Sequence, residues 1–199
     1  MSFAKEGCML VKNVVHPQLL KHLKVQFNML KDNIYYTQNK CEDALHGDQQ
    51  SPQSFSHYAP WAFESLLETI RPDVEKASKL ELYPTYSYAR IYYKGAPLEK
   101  HTDRYSCEIS ATVCVEIDEE NPWDIFFETK TGKEVCLKME PGDIAVYRGV
   151  ELTHWREPYK GRKHIQAFLH YVDVNGPYSA FKYDTRPMLG MAAEMKRPL

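Results

Sequence analysis

The chain has no apolar run approaching the roughly 18 residues that a bilayer-spanning helix needs, so no membrane partner is expected. It has no surplus of either charge. Its 25 Lys and Arg against 27 Asp and Glu leave a net −2, and no nucleic-acid partner is expected of so neutral a chain. It has no Cys-x-x-Cys pair. The five cysteines (Cys8, Cys41, Cys107, Cys114 and Cys136) are odd in number and widely spaced. That excludes a disulfide frame and a zinc knuckle, and points to free thiols in a reducing compartment. The first eight residues lack the apolar core of a signal peptide, so the expected location is cytoplasmic. There is no internal repeat and no low-complexity tract.

What is present is an ordinary globular composition. Hydrophobic residues make up 43% of 199, enough for one domain over 1–199 with a real core. Residues 8–15 read as a strand. His16-Pro17 opens a helix, with Pro17 suited to its first turn and His16 a capping or surface residue. Leu19, Leu23, Phe27 and Leu30 give that helix one apolar face. A second helix runs from about Pro60 to Ile70, and Pro72 breaks it or begins a third reaching Leu80. The stretch 38–57 is polar and without periodicity. It reads as a surface loop, or as a substrate lid, because loops of that length are often functional.

From Tyr83 the texture changes to aromatic and β-branched residues, among them Tyr86, Tyr88, Ile91, Tyr92 and Tyr93. Strands are expected at 107–117, 123–128, 133–139, 143–148, 152–156 and 163–173, with a hairpin at Thr131-Gly132. Two or more helices before about eight short strands imply an α+β fold, with helices packed on one sheet of a sandwich or jelly roll. The parts are a helical N-terminal region 1–82, a β core 83–173 and an extension 174–199. The extension could wrap the core, meet a second subunit or fray.

The chemistry-bearing stretch is His101-Thr102-Asp103. On extended backbone, residues i and i+2 point to one side, so an imidazole and a carboxylate can reach one cation. His154, 51 residues after Asp103 and just past the Pro141-Gly142-Asp143 turn, is the candidate third ligand. His164 and His170 are its rivals. Two imidazoles and a carboxylate suit Fe(II), and three ligands on one face leave room for a bidentate keto acid and dioxygen.

This order of elements resembles the Fe(II)/2-oxoglutarate-dependent dioxygenases, most closely their prolyl-4-hydroxylase-like branch. The resemblance covers residues 83 to 173, with a weaker echo over 9 to 30. It rests on Tyr93-Lys94-Gly95 before the His-x-Asp pair, the pair itself, the Pro-Gly-Asp turn, and the run from His154 to Lys163. It implies a double-stranded β-helix (jelly-roll) core and a metal site of His101, Asp103 and His154. It also implies Tyr93 lining the cosubstrate pocket and a basic residue gripping the far carboxylate of 2-oxoglutarate. Lys163, nine residues past His154, shares parity with Ile165, Ala167 and Leu169, which are taken as the inward face, so Lys163 is the expected anchor. Arg162 is the alternative, and Arg90 the fallback. The implied reaction hydroxylates a protein, peptide or small molecule, using Fe(II), 2-oxoglutarate and O2, and releases succinate and CO2. Leu98 stands where prolyl hydroxylases often carry Tyr, so the likeness is stronger at the iron site than on the substrate side. Asp103 disfavours the halogenases, which leave that position open. The competing class is a cupin-like barrel that binds metal or ligand without catalysis.

Overall fold

The computed structural model describes residues 2–38, 47–48, 50–52, 54–118 and 120–196. A short helix α1 (Phe3–Glu6) precedes β1 (Cys8–Val11) and the long α2 (Pro17–Thr37). Pro17 occupies the first turn of α2, and the His16 ring accepts a hydrogen bond from the Gln18 amide, so the helix starts where its sequence dictates. Next come β2 (Ser54–Tyr58), α3 (Trp61–Thr69), α4 (Arg71–Ser78), β3 (Leu82–Tyr93) and β4 (Leu98–His101). The remaining strands are β5 (Ile109–Glu116), β6 (Ile125–Glu128), β7 (Glu134–Leu137), β8 (Ile144–Arg148), β9 (His154–Arg156) and β10 (Lys163–Asp173).

The strands form two antiparallel sheets. One has six strands in the order β1-β8-β5-β10-β3-β2, and the other four in the order β4-β9-β6-β7. Period-two alternation decides what each face of the larger sheet carries. Ile165, Ala167, Leu169 and Tyr171 of β10 join Ala89 and Ile91 of β3 and Ala111 and Val113 of β5 in the main core. Leu23 and Phe27 of α2 and Phe63, Leu66 and Leu67 of α3 close that core from the helix side. Each Val, Leu, Ile or Phe among them contributes about 1.5–3 kcal/mol by leaving water. The opposite face carries polar and aromatic groups: Tyr86, Tyr88, Arg90, Ser110, Thr112, His164, Gln166 and His170, all buried except half-buried Tyr88. The fold is therefore α+β, with the helices on one sheet.

One feature departs from the sequence reading. The stretch 38–57, expected to be a loop, ends in strand β2, which pairs with β3 from Ser54↔Tyr92 to Tyr58↔Tyr88. Only Phe55 brings a large apolar side chain into the core there, so the strand carries almost no pattern of its own. Residues 39–46 of that stretch, with Cys41 and His46, lie outside the described residues, and so does the lid reading that depends on them. The extension, for its part, packs on β3. Asp184 is 1% exposed and receives a two-pronged hydrogen bond from Arg104 (2.9 Å each), one from Tyr58 Oη (2.6 Å) and an ion pair from Lys196 (2.6 Å). Tyr183, Asp184 and Thr185 all have left-handed backbone (φ 55°, 53° and 62°), a strain these contacts offset.

Candidate metal centre

His101 ends β4 and His154 begins β9, and the two are a cross-strand pair in the smaller sheet. Their rings lie 4.3 Å apart. Asp103 follows two residues after His101. Its amide donates to the Gly149 carbonyl (2.9 Å), which fixes its backbone against the loop leading to β9. A Cβ at Gly149 would collide with Asp103 Oδ2 and the Cys107 carbonyl, so this position admits only glycine without rearrangement.

Both imidazoles are held in one tautomer. His101 Nδ1 lies 2.7 Å from the Glu99 carbonyl and His154 Nδ1 lies 3.0 Å from the Leu152 carbonyl. A carbonyl only accepts, so each Nδ1 carries the proton and each Nε2 presents a lone pair. Both Nε2 atoms lie 3.6 Å from Asp103 Oδ1. Donors about 2.1 Å from a common transition ion sit about 3 to 3.5 Å from one another, so the three atoms fit one cation with little movement. Ser110 Oγ, 3.1 Å from Asp103 Oδ2, occupies the other carboxylate oxygen and leaves Oδ1 for the ion.

The electrostatics of the metal-free site favour an ionised Asp103 and a neutral His154. Burial pushes the Asp103 carboxyl up, but His154, His101 and His170 more than compensate and bring it down to about 2. Burial depresses His154 and keeps it neutral. Burial also opposes a charged His101, but its hydrogen bonds to Asp103 and Glu99 outweigh that and raise it.

Asp103, Cys107 and His170 form a second possible donor set. It is the weaker one. Burial drives the Cys107 thiol up and keeps it protonated, and His170 Nδ1 already faces Ser110 Oγ at 2.9 Å. His164 lies elsewhere, among Tyr92, Trp123 and Tyr159, with Nε2 on Gln166 Oε1 (2.5 Å).

The centre lies in the wall of a cavity of about 550 Å³. Tyr86, Tyr88 and Phe168 give it an aromatic side, while Arg90, Arg104 and Asp48 give it charge. None of the three residues expected to hold a cosubstrate lines it. Lys163 lies on the helix face of the larger sheet, with Nζ donating to Asn28 Oδ1 of α2 (2.7 Å). Tyr93, its cross-strand partner, stands exposed beside Lys31 and Asp32 of α2. Arg162 is exposed on the bend before β10, with its amide on Asp118 Oδ2. The apolar face of β10, taken as inward, is the one the helices cover, so the parity of Lys163 carries it away from the cavity.

Two other guanidinium groups are buried near the centre. Arg90, the fallback, lies on the cavity face of β3 and is 2% exposed. Arg156 follows His154 by two on β9, is also 2% exposed and lies behind the residues that line the cavity, and no expectation included it. It donates to the Trp123 carbonyl and to Met139 Sδ (3.8 Å), its Nε has no partner, and no carboxylate lies within ion-pair distance among the described residues. The available signal was the i,i+2 relation to His154, the same relation that joins His101 and Asp103.

No family sequence model matches this chain, and no curated protein sequence matches it either. Solved structures do. A Pseudomonas putida prolyl-4-hydroxylase is 13% identical, with 86% of this chain and 95% of that one covered at TM-score 0.64. HygX from Streptomyces hygroscopicus, solved with nickel and 2-oxoglutarate, is 11% identical over 87% and 85%, at TM-score 0.63. SnoN, a non-heme α-ketoglutarate-dependent epimerase from nogalamycin biosynthesis, is 13% identical over 98% and 90%, at TM-score 0.69. The chain thus has the fold of prolyl-4-hydroxylase-like and other 2-oxoglutarate oxygenases.

Proposed function

We propose that this chain is a single-domain Fe(II)- and 2-oxoglutarate-dependent oxygenase whose two sheets form a double-stranded β-helix. The observation that carries the reading is the convergence of two tautomer-locked Nε2 atoms on Asp103 Oδ1, in the wall of a cavity. The donor set, two imidazoles and one ionised carboxylate, matches what Fe(II) takes once the cation displaces any proton from His101 Nε2. When bound there with 2-oxoglutarate, the metal supplies activation of O2 and oxidation of a C–H bond, with succinate and CO2 released.

The chain's own residues have separate tasks. His101, Asp103 and His154 hold the ion, and the Glu99 and Leu152 carbonyls and Ser110 hold those ligands in orientation. Arg156 is the group we assign to the far carboxylate of 2-oxoglutarate. A guanidinium buried without a counter-ion is costly, and a ligand carboxylate relieves that cost. Tyr86, Tyr88 and Phe168 exclude water from the reacting region. The cavity falls within the roughly 300–1,000 Å³ of small-molecule sites, which favours a metabolite over a folded protein as substrate.

The test uses purified protein under argon. One Fe(II) per chain should bind, and admitting air with 2-oxoglutarate should give Fe(II)-dependent succinate. Metal binding without any succinate, across a substrate panel and in its absence, would leave the cupin-like, non-catalytic reading.

A further inference from the structure

Arg90 is the less satisfied of the two cations that line the cavity. Its Nη1 donates to Tyr92 Oη (3.3 Å), and its Nη2 pairs with Asp48 Oδ2. Its Nε is buried and has no partner among the described residues. The guanidinium lies 5.4 and 5.3 Å from the Tyr88 and Tyr92 ring centroids, so aromatic faces hold it in place. The Nε/Nη2 edge of a guanidinium is one that a carboxylate grips with two parallel bonds. Here that edge is used at one point only.

Asp48, unlike Arg90, is not buried. Its side chain is 38% exposed against 2% for Arg90. Its Oδ1 accepts the amides of Gln50 (3.0 Å) and Ser51 (3.2 Å), a local turn that holds the residue in place without Arg90. Only Oδ2 reaches inward, to Arg90 and to Tyr88 Oη (2.9 Å). Arg104, the other cation of the wall, is already matched by the two-pronged contact with Asp184.

We propose that the Nε/Nη2 edge of Arg90 is the docking point for a carboxylate of the substrate, and that Asp48 holds that place until the substrate arrives. The inference rests on the oxygenase reading for the word substrate, and the carboxylate site itself stands on this geometry. An incoming carboxylate replaces a single-point contact by a two-point one. Tyr88 Oη becomes free to donate to it, and the Asp48 carboxylate turns to solvent while keeping its bonds to Gln50 and Ser51. The aromatic side formed by Tyr86, Tyr88 and Phe168 then receives an apolar or aromatic body. The substrate class is a small monocarboxylate with such a body.

The probe is phenylacetate, with phenylacetamide as its uncharged match. Binding is read by calorimetry on Fe(II)-loaded protein under argon with saturating 2-oxoglutarate, and again with EDTA and no cosubstrate. Wild type should prefer phenylacetate by about tenfold or more in both conditions, as expected for a two-point charged hydrogen bond. Arg90→Gln should abolish the preference, and Asp48→Asn should tighten phenylacetate several-fold, because the competitor is gone. A merely structural Asp48–Arg90 pair predicts that Asp48→Asn weakens binding or leaves it unchanged, and either result overturns the proposal. So does equal binding of the amide. If Arg90→Gln weakens 2-oxoglutarate and spares phenylacetate, Arg90 is the cosubstrate anchor and the proposal fails. Absence of Fe(II)-dependent succinate with the phenylacetate preference intact sinks the oxygenase reading alone.

Discussion

The two faces of the six-stranded sheet are made by the same strands and do opposite work. On the helix face, odd-numbered residues of β3, β5 and β10 pack aliphatic groups against α2 and α3. On the other face, their even-numbered neighbours present Tyr86, Arg90, Ser110, His164, Gln166 and His170 to the interior of the sandwich. Both faces are buried, so burial does not separate them; chemistry does. The helix face is held by transfer from water and tolerates no volume change. The cavity face is held by hydrogen bonds such as Gln166 Nε2 to Thr112 Oγ1 (2.5 Å) and Ser110 Oγ to Asp103, and keeps donors in reserve. The sheet supplies stability on one side and a polar, reactive surface on the other.

The largest effect that tests this division belongs to the helix face. Phe63 is fully buried and lies 5.4 Å from the Phe27 ring. Phe63→Ala should lower unfolding free energy by about 3–5 kcal/mol in urea, while the folded fraction keeps its Fe(II) stoichiometry. A loss below about 1 kcal/mol would mean the helices carry little of the stability.

The next largest belongs to the cavity face. Asp103→Ala should weaken metal binding by more than about 100-fold, beyond the 10–100-fold usual for an outer partner, with the metal-free protein still folded. Ser110→Ala, which removes the bond to Oδ2 together with the contacts to the Cys107 carbonyl and His170 Nδ1, should weaken it by about 10-fold. Intact metal binding in Asp103→Ala, with loss in His170→Ala, would move the centre to the Asp103–Cys107–His170 side or beyond.

A smaller, pH-dependent effect comes from the extension. Burial raises the Asp184 carboxyl, and the hydrogen bonds from Arg104, Lys196 and Tyr58 outweigh that and lower it from 3.8 to about 2. A folded value below the unfolded one gives stability that is full above about 3.8 and lost as pH falls toward 2. Asp184→Asn should flatten the decline of stability between about pH 5 and 2. Part of the slope should remain, because Asp103 is depressed in the same sense. An unchanged slope would detach the extension from the acid behaviour.

How much of this was legible in the sequence depends on the range of the interactions involved. The His-x-Asp pair is local, because strand parity alone puts both side chains on one side. His154 was within reach because a Pro-Gly-Asp turn and a short strand locate it. The helices announced themselves through Pro17, Leu23 and Phe27, while β2 did not, because Ser54, Ser56 and His57 carry no apolar alternation. The anchor failed for a different reason. Alternation on β10 says that two faces differ, but not which one meets helices and which one encloses a cavity. Ile165, Ala167 and Leu169 read as an inward face, and inward turned out to be toward α2 and α3. Arg156 was out of reach because what marks it, burial without a carboxylate partner among the described residues, appears only once β9 is packed.

The smallest expected effect closes the comparison, and it concerns Lys163. Its Nζ donates to Asn28 Oδ1 and lies 3.7 Å from Glu116 Oε2. Burial, with Lys24 and Lys31 nearby, lowers its pKa against the pull of Glu116. Lys24 already pairs with Glu116 Oε1, so this carboxylate keeps a partner when Lys163 is gone. Lys163→Ala should therefore cost less than about 1 kcal/mol of stability, the range of partly exposed pairs. It should leave the apparent KM for 2-oxoglutarate unchanged, because no atom of the residue reaches the cavity face. Arg156→Lys, which keeps the charge and removes the planar fork, should raise that KM by about tenfold or more with Fe(II) binding intact. A raised KM in Lys163→Ala with a normal one in Arg156→Lys would show that Lys163, and not Arg156, anchors the cosubstrate.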